Sequence, residues 1–366
     1  MTESDRAHMT PLVTVVMPVY NLERYVAQSV ESVMSQSLEA IELICVDDGS
    51  TDSSAEVLDG LAAKDSRITV VRQKNGGPSA ARNAGVRLAR GEYLHFLDGD
   101  DTMAPHSYER AHAHAAGCGL DVLCFDANAN FETEELAQEF ERYTTYYTRS
   151  HEYPGVVSGP ELFAAMTANR EYRPSPLLQL IRTQYLRDHD IAFHEGILHE
   201  DNPFSFRCML LAKRAAHIPD VLAHRRFRES STMTTPDDVR HFTGCLVGAA
   251  DMLRLSQRLD LAPDAAEAAN VQIGAVYRRA ALILQALPRD VRDGLEWTAG
   301  TTESLLARFL QVHLKEVRTR DLKIRDDGKL IAKLQASVDK YRAADRRFLH
   351  RVERTIDGLV RKVRGS

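Results

Sequence analysis

The first 100 residues alternate short apolar runs with segments in which apolar side chains recur every three or four positions. Four apolar runs have the length and β-branched content of buried strands: 13–18, 41–46, 68–71 and 92–97. Helical periodicity is clearest at 23–36 and 79–89. Strand and helix therefore alternate four times, and this order predicts an α/β domain with a parallel, doubly wound sheet.

The pattern becomes less regular after the fourth strand. The apolar run 121–125 predicts a further strand, and 159–189 predicts two helices. Between them, 126–153 is rich in acidic residues and tyrosines without a clear period. We interpret it as an excursion near the acceptor side, with a solvated loop as the open alternative. Residues 191–226 predict a return to mixed structure.

Beyond Pro236 the pattern is almost continuously helical, and its breaks fall at Pro263, Pro288 and Gly300. This change predicts a domain boundary. We expect three parts: a flexible N-terminus at 1–11, an α/β domain at 12–236 and a helical region at 237–366.

Composition narrows the class of protein. With 366 residues, 44% of them hydrophobic and 27% charged, the chain can bury a large core, and its net charge of −6 argues against a nucleic-acid partner. The five cysteines are scattered and form no CxxC pair, so they predict neither a disulfide framework nor a zinc site. Neither a signal peptide nor a run of about 18 apolar residues occurs, and we expect a cytoplasmic protein.

Polar clusters follow three of the predicted strands: Tyr20 and Asn21, residues 47–50, and residues 98–101. The last cluster, DGDD, places three carboxylates on four residues. Like charges this close repel one another unless a cation lies among them, and oxygen ligands suit Mg²⁺ or Mn²⁺. An acidic turn is the alternative interpretation. Because strands of a parallel sheet end at one edge, the coincidence of three clusters there favours a binding site.

Four ordered segments carry a resemblance: VVMPVYN at 15–21, VDDGSTD at 46–52, NGGPSAARNAG at 75–85 and FLDGDD at 96–101. Together they resemble the family 2 glycosyltransferases over residues 13 to 105. The resemblance implies an α/β GT-A fold, Rossmann-like, with a mostly parallel sheet flanked by helices, here followed by a mostly α-helical C-terminal extension. It also implies a nucleotide-sugar donor, a divalent cation and inversion at the anomeric carbon.

Several residues of these segments are candidates for binding the nucleotide-sugar. Tyr20 offers an aromatic face to a base, and by resemblance Asp48, the second aspartate of its pair, contacts the base. Arg82, one turn into its helix, presents a fork of donors to the nucleotide or the diphosphate. The remaining candidates surround these three in the motifs: Pro18, Asn21, Asn75, Gly77 and Gly99.

The resemblance divides the acidic cluster between two roles. It assigns Asp98 to the nucleotide and Asp100 to the metal, which we expect to be Mn²⁺ or Mg²⁺, while Asp101 orders the turn. A cation there would neutralise the diphosphate and make it a better leaving group.

A general base must also accept the proton of the attacking acceptor hydroxyl. The segment LHEDNPF at 198–204 resembles the family's Glu-Asp pair, which implies Asp201 as the base and Glu200 as the alternative. The segment HRRFRESST at 224–232 resembles a later stretch that closes over the diphosphate.

In that later stretch, Arg226 and Arg228 lie on one side of an extended strand, so both can face a phosphate. Ser230 adds a hydroxyl donor to the same candidate set.

The C-terminal segment 340–366 carries nine Lys or Arg against three Asp or Glu. Its apolar residues fall on one helical face, together with two that precede it: Leu334, Val338, Tyr341, Phe348, Val352, Ile356, Leu359 and Val363. Two compatible interpretations stay open. The helix packs on this chain or on another copy to form a homo-oligomer, or it lies on an anionic membrane at the inner face of the plasma membrane.

We therefore expect an inverting hexosyl- or N-acetylhexosaminyltransferase that uses a UDP-linked donor. Its acceptor would be a glycan, polymer or lipid-linked hydroxyl in bacterial cell-surface polysaccharide or cell-wall glycan synthesis. The alternative is a non-catalytic nucleotide-sugar-binding or scaffold protein. A glycosidase needs no nucleotide pocket, and a dinucleotide dehydrogenase would carry GxGxxG where this chain has PVYN at 18–21.

Overall fold

The computed structural model describes residues 10–229, 236–288, 290 and 291. The predictions for Ser230, for most of the N-terminal segment 1–11 and for the basic segment 340–366 lie outside these residues. The described residues fall into two compact units. The first contains those within Met1–Glu195 and Phe204–Thr235, and the second those within Gly196–Pro203 and Pro236–Ser366.

One sheet dominates the first unit. Its strands are β1 (Val13–Val19), β2 (Ile41–Asp47), β3 (Ile68–Arg72), β4 (Tyr93–Phe96), β5 (Thr102–Met103), β6 (Val122–Phe131), β7 (Gln179–Arg182) and β8 (Ala215–Phe227). The α-helices of the described residues are α1 (Val26–Met34), α2 (Ser54–Ala62), α3 (Pro78–Leu88), α4 (Ser107–Gly117), α5 (Glu134–Glu139), α6 (Gly159–Ala168), α7 (Thr183–Asp188), α8 (Asp201–Leu211), α9 (Val239–Ser256) and α10 (Pro263–Ala286). The strand order is β3-β2-β1-β4-β7-β6-β8-β5.

The half of the sheet made by β3, β2, β1 and β4 is parallel, as the sequence predicts. β1 is buried along its whole length between its neighbours, which explains its continuous apolar run. In register, Val19 pairs with Asp47, and Val16 pairs with Phe96. The segments after β1, β2 and β4 therefore leave the sheet at one edge, and the α/β fold with helices on the sheet is confirmed.

The other half of the sheet is mixed, and here the prediction was incomplete. Residues 159–189 form two helices, but β7 lies between them and pairs antiparallel with both β4 and β6. Four buried residues are too short a run to show a strand period. β6 also runs to Phe131, past the predicted end at 125, because it pairs in parallel with β8 as far as Phe227.

The excursion predicted at 126–153 is ordered rather than a solvated loop. Arg149 is buried, and its guanidinium donates to the Asp126 carboxylate at 2.6 Å and to the carbonyl of Phe125 at 2.9 Å. His217 of β8 is 3.0 Å from the same carboxylate. This buried ion pair fastens the end of the excursion to the sheet. The acceptor role of the segment stays a prediction.

Helix α3 lies directly on β1. At Gly85, an added Cβ would lie 2.3 Å from Cγ1 of Val16, so the helix backbone occupies space that any side chain would need. This close approach sets the height of α3 above the sheet. It therefore also sets the position of Arg82, which lies on α3 less than one turn earlier.

The second unit pairs α9 with α10, and the segment 196–203 runs along α9. At Gly244 an added Cβ would lie 2.1 Å from the carbonyl oxygen of Leu198, so the two backbones touch. One turn on, Gly248 faces the ring of Pro203. Among the helices described, none combines the length and apolar character that crossing a membrane requires.

Replacing Gly85 with Ala should lower the free energy of unfolding of the first unit by about 1–3 kcal/mol, because the methyl group has no room above Val16. Gly60→Ala is the matched control. It lies in α2 with no atom within 4 Å of an added Cβ, and it should raise the free energy by about 0.5–1 kcal/mol. Urea unfolding of both variants measures the difference, and equal effects would refute the close approach of α3 and β1.

Candidate active site

The three carboxylates at 98–101 are surrounded by guanidinium groups. These come from one helix and from the end of β8: Arg82, Arg225, Arg226 and Arg228. The helix and the strand are far apart in sequence, and the sheet brings them together. β5 contributes directly, since Thr102 pairs with His224 and holds the acidic turn beside the arginine stretch.

Asp98 pairs with Arg82, whose Nη2 donates to Oδ1 at 2.6 Å. Arg82 is buried, and its guanidinium lies 5.1 Å from the ring centroid of Phe193. Removal from water works to raise the pKa of Asp98, but Arg82 and Arg225 outweigh it and hold that pKa below its usual value. Asp98 is therefore ionised throughout the neutral range, and its charge is compensated by Arg82 and Arg225.

Arg225 escaped the sequence prediction. Its Nη1 lies 3.9 Å from oxygens of both Asp98 and Asp101, and its guanidinium is 5.9 Å from the ring centroid of Tyr147. Burial works to lower the pKa of Arg225, but the electrostatic influence of Tyr147, Asp101 and Asp98 outweighs burial and raises that pKa above its usual value. The sequence prediction selected Arg226 and Arg228 because they share one side of an extended strand. Arg225 points to the opposite side and was therefore left out.

Asp101 lies deepest in the cluster and is 2% exposed. Its Oδ1 accepts the backbone N–H of Arg226 at 2.7 Å, whereas Oδ2 has no hydrogen-bond partner among the residues described. Burial raises the pKa of Asp101 well above its usual value, against the pull of Arg225. The expected role in ordering the turn agrees with its backbone contacts, since its own N–H donates to the carbonyl of Asp98.

Asp100 is reached by both arginines that the sequence singled out. Arg228 Nε donates to Oδ2 of its carboxylate at 2.8 Å, and Arg226 Nε donates to its carbonyl oxygen at 2.8 Å. Both guanidinium groups lie over Tyr25, at 5.1 and 5.2 Å from the ring centroid. Arg226 also donates to Gln28 at 2.6 Å. The two arginines thus share one side of the chain at the end of β8.

The cluster fits a divalent cation by the chemistry of its donors. Asp98 and Asp100 are half-buried carboxylates, and Oδ2 of Asp101, which accepts no hydrogen bond among the residues described and lies 3.9 Å from Arg225 Nη1, belongs to the same turn. Hard oxygen ligands of this kind suit Mg²⁺ or Mn²⁺. Arg228 provides the positive charge on the Asp100 carboxylate in this structure.

The Asp48 carboxylate is engaged within the protein. Oδ1 accepts from Gln73 Nε2 at 2.7 Å and from the N–H of Gly76 at 2.9 Å, and Oδ2 accepts from the N–H of Gly77 at 2.7 Å. Gly77 has a φ of 83° and precedes α3. Asp48 therefore shapes the loop that contains the predicted residues Asn75 and Gly77, a function that the sequence prediction missed.

Other predicted donor-site residues lie in the turns that follow β1 and β4. Asn21, with a φ of 53°, accepts the N–H of Thr51 at 2.8 Å and so joins the turns after β1 and β2. Gly99 packs so closely on Leu22 that an added Cβ would lie 2.9 Å from its Cδ1, and 3.3 Å from the carbonyl oxygen of Pro18. Tyr20 is 48% exposed, a large ring left open to solvent.

Glu200 and Asp201 belong to the second unit. Asp201 is the first residue of α8, and its Oδ1 accepts the N–H of Asn202 at 2.9 Å. His199 precedes them with a φ of 63°, a strained conformation for a residue other than glycine. Burial lowers the pKa of His199, helped by the nearby His241, so its imidazole is neutral at pH 7.

The chain is similar to known glycosyltransferases. The family model described as "Glycosyl transferase family 2" matches residues 14–179. The Streptococcus pneumoniae protein "Glycosyltransferase GlyG" is 30% identical over 236 residues, which cover 63% of this chain and 76% of that protein. "Uncharacterized glycosyltransferase EpsJ" of Bacillus subtilis is 31% identical over 231 residues, 62% of this chain and 64% of EpsJ, so the chain spans less than two thirds of that relative.

Among solved structures, the chain resembles S. aureus TarS 1-349 in complex with UDP-GlcNAc, with a TM-score of 0.58. The match covers 83% of this chain and 91% of TarS 1-349 at 20% sequence identity. At 20% sequence identity, this structural similarity shows that the two proteins share a fold.

Replacing Arg228 with Gln should strengthen the binding of Mn²⁺ in the absence of nucleotide by about 2- to 10-fold, because the cation then no longer competes with a guanidinium for Asp100. Isothermal titration with MnCl₂ measures the change. Arg226→Gln is the matched control, since Arg226 contacts the main-chain oxygen of Asp100 rather than its carboxylate, and it should have the smaller effect. Equal gains in both variants would contradict competition at Asp100.

Proposed function

This chain belongs to glycosyltransferase family 2, and we propose that it is an inverting enzyme that transfers a sugar from a UDP-linked donor to an acceptor hydroxyl. The sugar is a hexose or an N-acetylhexosamine. The acceptor is a glycan, a polymer or a lipid-linked saccharide in bacterial cell-surface polysaccharide or cell-wall glycan synthesis.

The observation that carries this proposal is the set of arginine contacts to the acidic turn 98–101, at the edge where β1, β2 and β4 end. Arg82, Arg225 and Arg228 pair with its carboxylates, and Arg226 donates to the carbonyl of Asp100. A nucleoside diphosphate binds together with a divalent cation. Its negative phosphates can replace the carboxylates as partners of the arginines, and the cation can replace the arginines as partner of the carboxylates. Asp98 and Asp100 offer carboxylates to ribose and cation, whereas Arg226 and Arg228 offer donors to the phosphates.

A pyrimidine carrier is supported by groups at the ends of β1 and β2. Tyr20 presents an open ring and follows Val19, whose carbonyl accepts the N–H of Asp48. Asp48 in turn holds the next loop through the amides of Gly76 and Gly77. The base would stack on Tyr20 and hydrogen-bond to groups of this loop. The fold likeness to TarS, which was solved with UDP-GlcNAc, supports the same carrier.

In the proposed reaction the acceptor oxygen attacks C1 of the sugar, and the bond from C1 to the diphosphate oxygen breaks. Asp201 accepts the proton of the acceptor hydroxyl, and Glu200 orients the acceptor. The cation, Mn²⁺ or Mg²⁺, would be held by Asp100 and would stabilise charge on the departing diphosphate. Arg82 and Arg228 neutralise the same leaving group from the protein side.

Tyr20→Ala should weaken UDP binding by about 5- to 100-fold, because stacking of a base on an aromatic ring contributes about 1–3 kcal/mol. Tyr20→Phe should retain most of the affinity. Leu88→Ala serves as control, since Leu88 is equally exposed at 48% but lies at the far end of α3. Titration with UDP measures all three, and an unchanged affinity of Tyr20→Ala would remove the ring from the nucleotide site.

Asp201→Asn should lower sugar transfer by about 100- to 10,000-fold while UDP affinity stays within about twofold, because only proton acceptance is lost. Asp188→Asn, on the exposed end of α7, should leave both quantities unchanged. Transfer is followed as release of nucleoside diphosphate from UDP-, GDP- and dTDP-sugars with Mn²⁺, with and without EDTA.

An unchanged rate of sugar transfer in Asp201→Asn would exclude Asp201 as the general base. If only Glu200→Gln lost sugar transfer, the general base would be Glu200. Binding of a donor without release from any of the three carriers, with acceptor present, would favour the non-catalytic scaffold.

A further inference from the structure

The second unit contains a group of metal-ligating side chains that the transfer reaction does not use. His199, Asp237 and His241 each offer one ligand atom, and these atoms all lie within 4.8 Å of one another. His199 precedes α8, whereas Asp237 and His241 stand at the start of α9. All three residues belong to the second unit, whereas the carboxylates at 98–101 belong to the first.

Both imidazoles present a buried nitrogen without a partner. Nε2 of His199 and Nε2 of His241 have no hydrogen-bond partner among the residues described, and His241 is 3% exposed. A buried nitrogen that pairs with nothing costs free energy, so its retention calls for a ligand. The rings lie 5.4 Å apart, close enough for one ion to bind both.

The surroundings of His241 allow Nε2 to bind a cation. Its other nitrogen, Nδ1, lies 2.9 Å from Oδ1 of Asp238, the N-cap of α9, and 3.1 Å from the backbone nitrogen of the same residue. In one tautomer Nδ1 accepts the N–H of Asp238; in the other, Nδ1–H donates to the carboxylate and Nε2 carries a lone pair. A cation bound at Nε2 selects the second tautomer. In protein metal sites, a ligating histidine commonly donates its other ring N–H to a carboxylate. This hydrogen bond fixes the orientation of the ring and increases the basicity of the ligating nitrogen.

His199 is also held in place before any ion binds. The preceding residue, Leu198, touches the backbone of α9 at Gly244, one turn after His241. The carbonyl of His199 accepts from Asn202 N–H at 3.3 Å, and its φ of 63° is kept by these contacts. A ligand set that is already assembled binds a metal without the entropic cost of ordering a loop.

We propose that His199, Asp237 and His241 form a binding site for a transition-metal dication, best suited to Zn²⁺, that joins the segment 196–203 to the start of α9. Two imidazole nitrogens and one carboxylate oxygen are a common zinc ligand set, and a fourth position remains for water. Arg279 donates to Oδ1 of Asp237 at 2.8 Å and competes with the ion for this carboxylate. The ion would thereby hold the residue next to Glu200, and this consequence alone depends on the proposed function.

The test uses the full-length chain without a polyhistidine tag, in an Asp100→Asn background that removes the predicted cation ligand of the first unit. Titration with CoCl₂, followed by visible absorption, and with ZnCl₂, followed by calorimetry, should each give one bound ion per chain. His199→Ala should weaken this binding by at least about 100-fold. Removing a group that only hydrogen-bonds to a metal ligand already lowers metal affinity by about 10- to 100-fold, and removing a ligand itself should lower it more.

Three further variants keep the outcome clear. Asp237→Asn changes a partly exposed residue without disturbing the core and should weaken binding, whereas Arg279→Gln should strengthen it by removing the competing cation. His194→Ala removes a histidine of the first unit, five residues before His199 in the sequence, and should change nothing. Far-UV circular dichroism checks the fold of each variant. Absence of binding in the Asp100→Asn protein, or binding that survives both His199→Ala and Asp237→Asn, would overturn the site.

Discussion

Charge compensation at the end of β4 is the constraint on which the rest of the first unit depends. Three carboxylates on four residues repel one another, and burial adds to the cost of their charge, unless positive charge is supplied at contact distance. Arg82 supplies it from α3 and Arg228 from the end of β8, and Arg225 lies between two of the carboxylates. The acidic turn is therefore stable only in a fold that brings these two distant elements to it.

The sheet meets that requirement through two features. Gly85 lets α3 lie on β1 closely enough for Arg82 to reach Asp98. The two-residue strand β5 then pairs antiparallel with β8 immediately after the acidic turn, which fixes the register between carboxylates and arginines. Because the side chains of β8 alternate in direction, Arg225 faces Asp98 and Asp101, whereas Arg226 faces Gln28 and Tyr25.

Sequence reasoning reached the parallel half of the sheet and the edge where the site lies, because β1, β2 and β4 are apolar runs that end in polar clusters. It missed β7, since four residues carry no period, and it ended β6 early, since pairing with β8 rather than hydrophobicity extends that strand. In the site, residue types and the family resemblance singled out Asp98, Asp100 and Arg228, which the structure brings into one charge cluster. They did not reveal Arg225 or the engagement of Asp48 with Gly76 and Gly77, because both depend on contacts between segments that are separate in the chain.

The position of β7 has a consequence for the synthesis of the chain. β4 is complete at Phe96, but its outer partner begins only at Gln179, and until then its hydrogen-bonding groups on that side have no strand to pair with. A nascent chain of intermediate length thus presents an apolar edge strand that can join another unfinished chain. Slow translation between these points would favour aggregation on the ribosome, and chaperones that cover exposed edges would be needed most during this interval.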